Sequence, residues 1–104
     1  MKEYTFENTI FKVGTTAQEN WAIISAANKD FYWLHLEGCP SAHIIIEIDV
    51  TPTKEELAFA SQLAKTATPK APPHAGIVWT QVSNIRLGSK PGEVYFKNNK
   101  LAYH

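Results

Sequence analysis

Two β-rich runs joined by a short turn constrain this chain more than anything else in it. Phe31-Tyr-Trp-Leu-His-Leu36 is aromatic and Ala42-His-Ile-Ile-Ile-Glu-Ile48 is β-branched, and both compositions suit strands. Glu37-Gly-Cys-Pro-Ser41 between them supplies turn residues. A hairpin centred on Cys39 opposes Leu36 to Ala42, His35 to His43, Leu34 to Ile44 and Trp33 to Ile45. Side chains alternate across a strand, so Tyr32, Leu34, Leu36, Ala42, Ile44 and Ile46 form one wholly apolar face, which must be core. Phe31, Trp33, His35, His43, Ile45 and Glu47 share the other. A slip of one residue would scramble both faces, so the clean apolar set fixes the register.

The rest of the chain arranges itself around this hairpin. Ile10 to Val13, ending at Gly14, reads as an early strand. Thr16 with Glu19 three residues on has capping-box spacing and starts a short helix, with Trp21, Ile24 and Ser25 or Ala27 along one face. Thr53 and Glu56 give a stronger helix start, after which Leu57, Ala60, Ala64 and Ala67 recur at helical spacing with Leu63 beside them. Pro69 ends that helix, and Pro72-Pro73 form a stiff connector. Gly76 to Thr80 is a strand that continues through Gln81 to Arg86 after an irregularity. Gly88 to Gly92 is a loop, Val94 to Phe96 a last strand and Asn98-Asn99 a turn. The order β-α-β-β-α-β-β predicts a single α+β domain spanning residues 1–104. Its largely antiparallel sheet has one long and one short helix packed on it and is covered on one face.

Charge narrows the function classes. Ten basic residues balance ten acidic ones over 104 residues, so the chain is not a polybasic binder that grips phosphates by net charge. Its one cysteine, Cys39, has no internal disulfide partner, which favours a reducing compartment. Residues 1–15 do not resemble a signal peptide. Apolar runs such as Ile44-Ile45-Ile46 are far short of the ~20 residues of a membrane span. The expectation is a soluble cytoplasmic protein without a membrane partner.

Four segments in order carry a family resemblance. Asp30-Phe-Tyr-Trp33-Leu-His35 resembles a D-x-W-x-H strand, and Pro40-Ser-Ala-His43-Ile-Ile the P-G/S-S/A-H-V segment that follows it. Thr80-Gln-Val82-Ser-Asn-Ile85-Arg86 resembles T-x-V-x-x-V-R, and Lys90-Pro91-Gly92-Glu-Val94 resembles K-P-G-x-V. Together, from about Ile10 to Val94, they are similar to NFACT-R, the RNA-binding domain of the NFACT proteins of ribosome-associated quality control. The resemblance implies an RNA-binding role with tRNA, rRNA or the ribosome as partner, and protein partners that supply the other NFACT regions. It implies no tail-synthesis activity for this chain alone. Two family charges are missing: the usual G-R-N-A is here Gly14-Thr15-Thr16-Ala17, and the usual lysine after the V-R pair is Leu87. Weak isolated affinity and a modest salt slope follow.

His35 and His43 are the sharpest chemical feature. Opposed in the hairpin, their Cβ atoms should lie roughly 5 Å apart. Beside Trp33 they suit contact with a phosphate or a ribose 2′-hydroxyl, with the indole stacking a base. The expected nucleic-acid site is Trp33, His35, Ser41 and His43, with Arg86 and Lys90 positioning the backbone. The bland alternative has the second face covered by the early helix or by the Pro69–Pro73 connector, with both histidines satisfied in the core. Trp21 and Trp79 read as core residues. A metal site lacks ligands at workable spacing. Hydrolase chemistry, with Ser41 as a nucleophile near His43, lacks every supporting motif. The reading is therefore a non-enzymatic RNA-binding module without cofactor. A protein-interaction adaptor on the same fold is its main competitor; a DNA-binding module and a histidine-based nuclease follow.

Overall fold

The chain opens on a hairpin that no strong turn motif announces. β1 (Lys2–Phe6) and β2 (Thr9–Gly14) pair from Lys2↔Val13 to Phe6↔Thr9. The two linking residues, Glu7 and Asn8, both have positive φ, 49° and 67°, the backbone of the tight primed turn that matches strand twist. β1 is exposed along most of its length, and Tyr4 and Phe6, alternating with Glu3 and Thr5, are too few to mark a strand in the sequence. The computed structural model describes residues 1–91, 93–96 and 100–102. The predicted turn at Asn98-Asn99, and Gly92 of the loop and of the K-P-G segment, lie outside the described residues.

After β2 come α1 (Ala17–Ala26), β3 (Tyr32–Leu36), β4 (His43–Glu47), α2 (Lys54–Thr66) and β5 (Ile77–Gln81). A 3-10 turn at Val82–Asn84 is the predicted irregularity, and it leads into β6 (Ile85–Leu87). β7 (Val94–Phe96) and β8 (Lys100–Ala102) complete the order. Six strands form one antiparallel sheet in the order β1-β2-β4-β3-β5-β8, while β6 and β7 make a separate ribbon. The β3–β4 register follows the apolar pattern at Tyr32↔Ile46, Trp33↔Ile45 and Leu34↔Ile44, but the expected His35↔His43 and Leu36↔Ala42 pairs do not form, because the strands part beyond Leu34. The α+β class with its largely antiparallel sheet is as expected.

α2 starts where the capping box puts it. Thr53 Oγ1 accepts from the Glu56 amide and Glu56 Oε1 accepts from the Thr53 amide. The second carboxylate oxygen of Glu56 accepts the Thr9 hydroxyl at 2.7 Å, tying the helix start to β2. Ala60 and Ala64 then lie on Phe11, Leu34, Leu36, Ile44 and Ile46 in the main core. Each large aliphatic side chain removed from water there contributes roughly 1.5–3 kcal/mol. Phe59 closes one end, stacked on Phe6 at 4.7 Å and edge-on to Phe11 at 4.9 Å.

The sheet is covered on both faces, not one. α1 lies across the face opposite α2 and packs Ile23 and Ile24 with Trp33, Ile45 and Val82 into a second core. Its buried residues are Asn20, Ile23 and Ile24. Ile23 thus takes the place expected of Trp21, which is half-buried and donates its indole N–H to the Glu93 carbonyl. Trp79 belongs to the main core, as expected. Gly14 permits the close approach of α1. A Cβ there would collide with Asn20 Oδ1 and stand 3.0 Å from the Asn20 backbone.

Candidate functional site

The central hairpin comes apart at one end. Pairing of β3 with β4 stops at Leu34↔Ile44, after which β3 continues along β5 to Leu36↔Ile77 and β4 along β2 to Gly14↔His43. Ser41 holds the parted strands. Its Oγ accepts from the Leu36 amide at 3.1 Å and donates to the Ala42 carbonyl at 2.9 Å. One hydroxyl thus stands between two backbone groups that a continued ladder would join directly. The Ala42 amide turns instead to Thr68 Oγ1 beyond the end of α2, 3.0 Å away. Both amides are thereby satisfied, as semi-buried backbone groups must be. The Glu37 amide bonds the Gly76 carbonyl at 2.8 Å, and Gly38 turns the chain with a φ of 78°.

A groove of about 440 Å³ opens where the strands part. His35, His43, Ser41 and Ala42 line it from the hairpin, Thr15, Thr16 and Asn20 from the β2–α1 junction, Thr68 from the α2 end, and Pro91 from the loop after β6. Thr16 caps α1 by accepting from the Glu19 amide at 3.1 Å. Asn20 Oδ1 accepts from the His43 amide at 3.3 Å, which anchors the helix to the groove floor.

The imidazoles are set by their surroundings. His43 is 2% exposed, and its Nδ1 accepts the Trp33 indole N–H at 3.1 Å. An indole only donates, so this nitrogen is unprotonated and the neutral ring carries its proton on Nε2. Burial, reinforced by neighbouring His35, pulls the His43 pKa from 6.5 down to about 3. In His35 the order is reversed. Nδ1 contacts the Leu36 carbonyl, which only accepts, so Nδ1 holds the proton and Nε2 keeps its lone pair. Burial lowers the His35 pKa too, against the opposing pull of that carbonyl. The two rings meet edge to face, 4.7 Å apart, and His35 stacks on Trp33 at 5.7 Å.

Of the six residues predicted for the site, the structure brings three together at the groove: His35, Ser41 and His43. Trp33 is the correction. It is 1% exposed beneath Ile23 and Ile24 of α1, so it offers no ring face to a base. His43, at 2% exposed, is not openly presented to solvent either; the early helix covers Trp33 and Ile45 of that face, as in the alternative, while His35 and His43 border the groove. Ser41 is no free nucleophile either, since its proton and lone pair hold the split. Lys90 is exposed and directly precedes the groove residue Pro91. Arg86 is exposed on the β6–β7 ribbon, opposite Tyr95. Thr16, Asn20 and Thr68 were not predicted for the site. The Thr16 cap was legible, but only the tertiary fold brings all three to the hairpin end. Among the described residues, no group of three His, Cys, Asp or Glu side chains could hold a metal ion, and no helix is long and apolar enough to cross a membrane.

The fold has a solved counterpart. The chain is similar to the C-terminal part of the fibronectin/fibrinogen-binding protein from Streptococcus suis, with a TM-score of 0.81 and 23% identity over 91% of this chain. At that identity the likeness establishes the fold. The chain spans 40% of the length of that structure. No protein-family model matches the chain, and no curated protein does.

Proposed function

We propose that this chain is a small non-enzymatic RNA-binding module acting in the cytoplasm, with tRNA, rRNA or the ribosome as its partner, as the NFACT-R resemblance implies. The groove at the parted hairpin carries the reading. Its lining offers two neutral imidazoles, an asparagine amide and the hydroxyls of Thr15, Thr16, Ser41 and Thr68, groups suited to the sugar and base edges of a splayed nucleotide. Lys90 beside it and Lys70 in the adjoining hollow of Cys39 and Pro40 supply positive charge near a backbone path. The burial of Trp33 shifts the weight of binding from stacking to hydrogen bonds. Fluorescence anisotropy with tRNA and an unrelated RNA at several salt concentrations tests this. The expected result is roughly micromolar affinity with a log–log salt slope of about −1 to −3, the slope of a few phosphate contacts. Absence of salt-dependent binding to either RNA overturns it.

A protein-interaction adaptor is the second reading. Zero net charge favours it, as does the name of the structural neighbour, a protein described as binding fibronectin and fibrinogen. Surface plasmon resonance with immobilised fibronectin and fibrinogen separates the two. Saturable protein binding without RNA binding would select the adaptor.

A further inference from the structure

The two imidazoles at the groove form a matched pair, and the match has a chemical consequence. In each ring Nδ1 is engaged by a partner whose role is fixed: the Trp33 indole can only donate and the Leu36 carbonyl can only accept. His43 therefore has an N–H at Nε2, and His35 has a lone pair there. Among the described residues, neither Nε2 has a hydrogen-bond partner, and no buried side-chain nitrogen or oxygen lacks one. The two Nε2 atoms are thus reached from the groove that both residues line. With ring centres 4.7 Å apart, the two neutral rings bring one donor and one acceptor to the same groove.

A phosphate oxygen can use only the donor half of this pair. A hydroxyl group uses both halves, accepting from His43 and donating to His35. The surrounding lining is of the same kind, with Thr16, Ser41 and Thr68 hydroxyls and, among the described residues, no lysine or arginine. Resting on the RNA-binding reading, we propose that the His35–His43 pair reads a ribose 2′-hydroxyl, so that the module tells RNA from DNA at this groove. The discrimination comes from hydrogen-bond pairing and not from charge. A deoxyribose leaves the His43 N–H and the His35 lone pair without partners and at most returns them to water.

The test compares one short labelled single strand as RNA, as DNA and as 2′-O-methyl RNA, with adenosine and 2′-deoxyadenosine as competitors. RNA should bind about tenfold more tightly than DNA, the worth of one or two net hydrogen bonds. The 2′-O-methyl strand should fall to the DNA level, since it cannot donate to His35. Adenosine should compete better than its deoxy analogue if one nucleoside fills the groove; preference confined to the strand places the read hydroxyl within a chain. In His35→Phe, which keeps a ring stacked on Trp33 and leaves only the His43 donor, the RNA-to-DNA ratio should fall about threefold or more, the loss of one of the two hydrogen bonds, with the melting transition confirming the fold. Equal binding of RNA and DNA by the unaltered protein overturns this inference and leaves a nucleic-acid-binding module standing. Binding of neither strand overturns the RNA reading and this inference with it. The oligonucleotide comparison needs no variant, so a misfolded His35→Phe does not remove the test.

Discussion

Acid should weaken this protein well before its carboxylates titrate, and His43 is the reason. The unfolded chain binds a proton on this imidazole at 6.5, whereas the folded chain does so only near about 3. Between those values protons favour the unfolded state, so stability falls as pH falls. Each pH unit inside the window costs up to about 1.4 kcal/mol. From about pH 7 to pH 5 the loss attributable to His43 is about 2 kcal/mol, and the lowered pKa of His35 acts in the same direction. A urea slope of about 1–3 kcal/mol per molar turns that into a midpoint shift on the order of 1 M. The assay is urea denaturation at about pH 7, 6 and 5, alongside an NMR titration of the histidine ring protons. His43→Gln keeps an acceptor for the Trp33 indole but has no titratable group, so most of the pH dependence should vanish in it. A His43 ring that titrates near its ordinary value in the folded protein, or a midpoint that stays put down to about pH 5, refutes the reasoning.

Three further outcomes follow from geometry. Gly14→Ala puts a Cβ against Asn20 Oδ1 and 3.0 Å from its backbone, and thermal melting should show a loss of about 1–3 kcal/mol, with α1 shifted from the groove. Thr9→Val removes the donor to Glu56 Oε2 without changing side-chain volume; chemical denaturation should show a loss of about 2 kcal/mol, the cost of depriving a buried carboxylate oxygen of its partner. Arg86→Ala and Lys90→Ala should each lower the salt slope of RNA binding by about 1 if they contact phosphate, measured by anisotropy across salt.

The central hairpin was legible because its pattern is redundant. Six apolar residues fall on one face in only one register, and Thr53 with Glu56 marks a helix start by side-chain chemistry alone. What escaped was decided by tertiary contact. β1 is exposed along most of its length, and its two aromatic residues, Tyr4 and Phe6, are too short a pattern to read. Trp33 and Ile45 share a face with His35 and Glu47, and mixed faces of that kind suit an open surface as well as one beneath a helix. Only the approach of Ile23 and Ile24 over Gly14 decides between them. That the two imidazoles come together was visible in the hairpin pattern, although the strands part before His35 and His43 pair. The direction of each ring's hydrogen bond was not, because it depends on which neighbour reaches each Nδ1.

The way the groove is walled separates its stability from its selectivity. Its floor is the end of the central hairpin, held by two cores, whereas its rim comes from three separate connections: the β2–α1 junction, the segment after α2 and the loop before β7. Changes at Thr15 or Pro91 would alter what the rim admits while the imidazoles keep their places. One scaffold of this kind can be retuned to new ligands by editing short stretches of chain, with little need to repack what lies beneath.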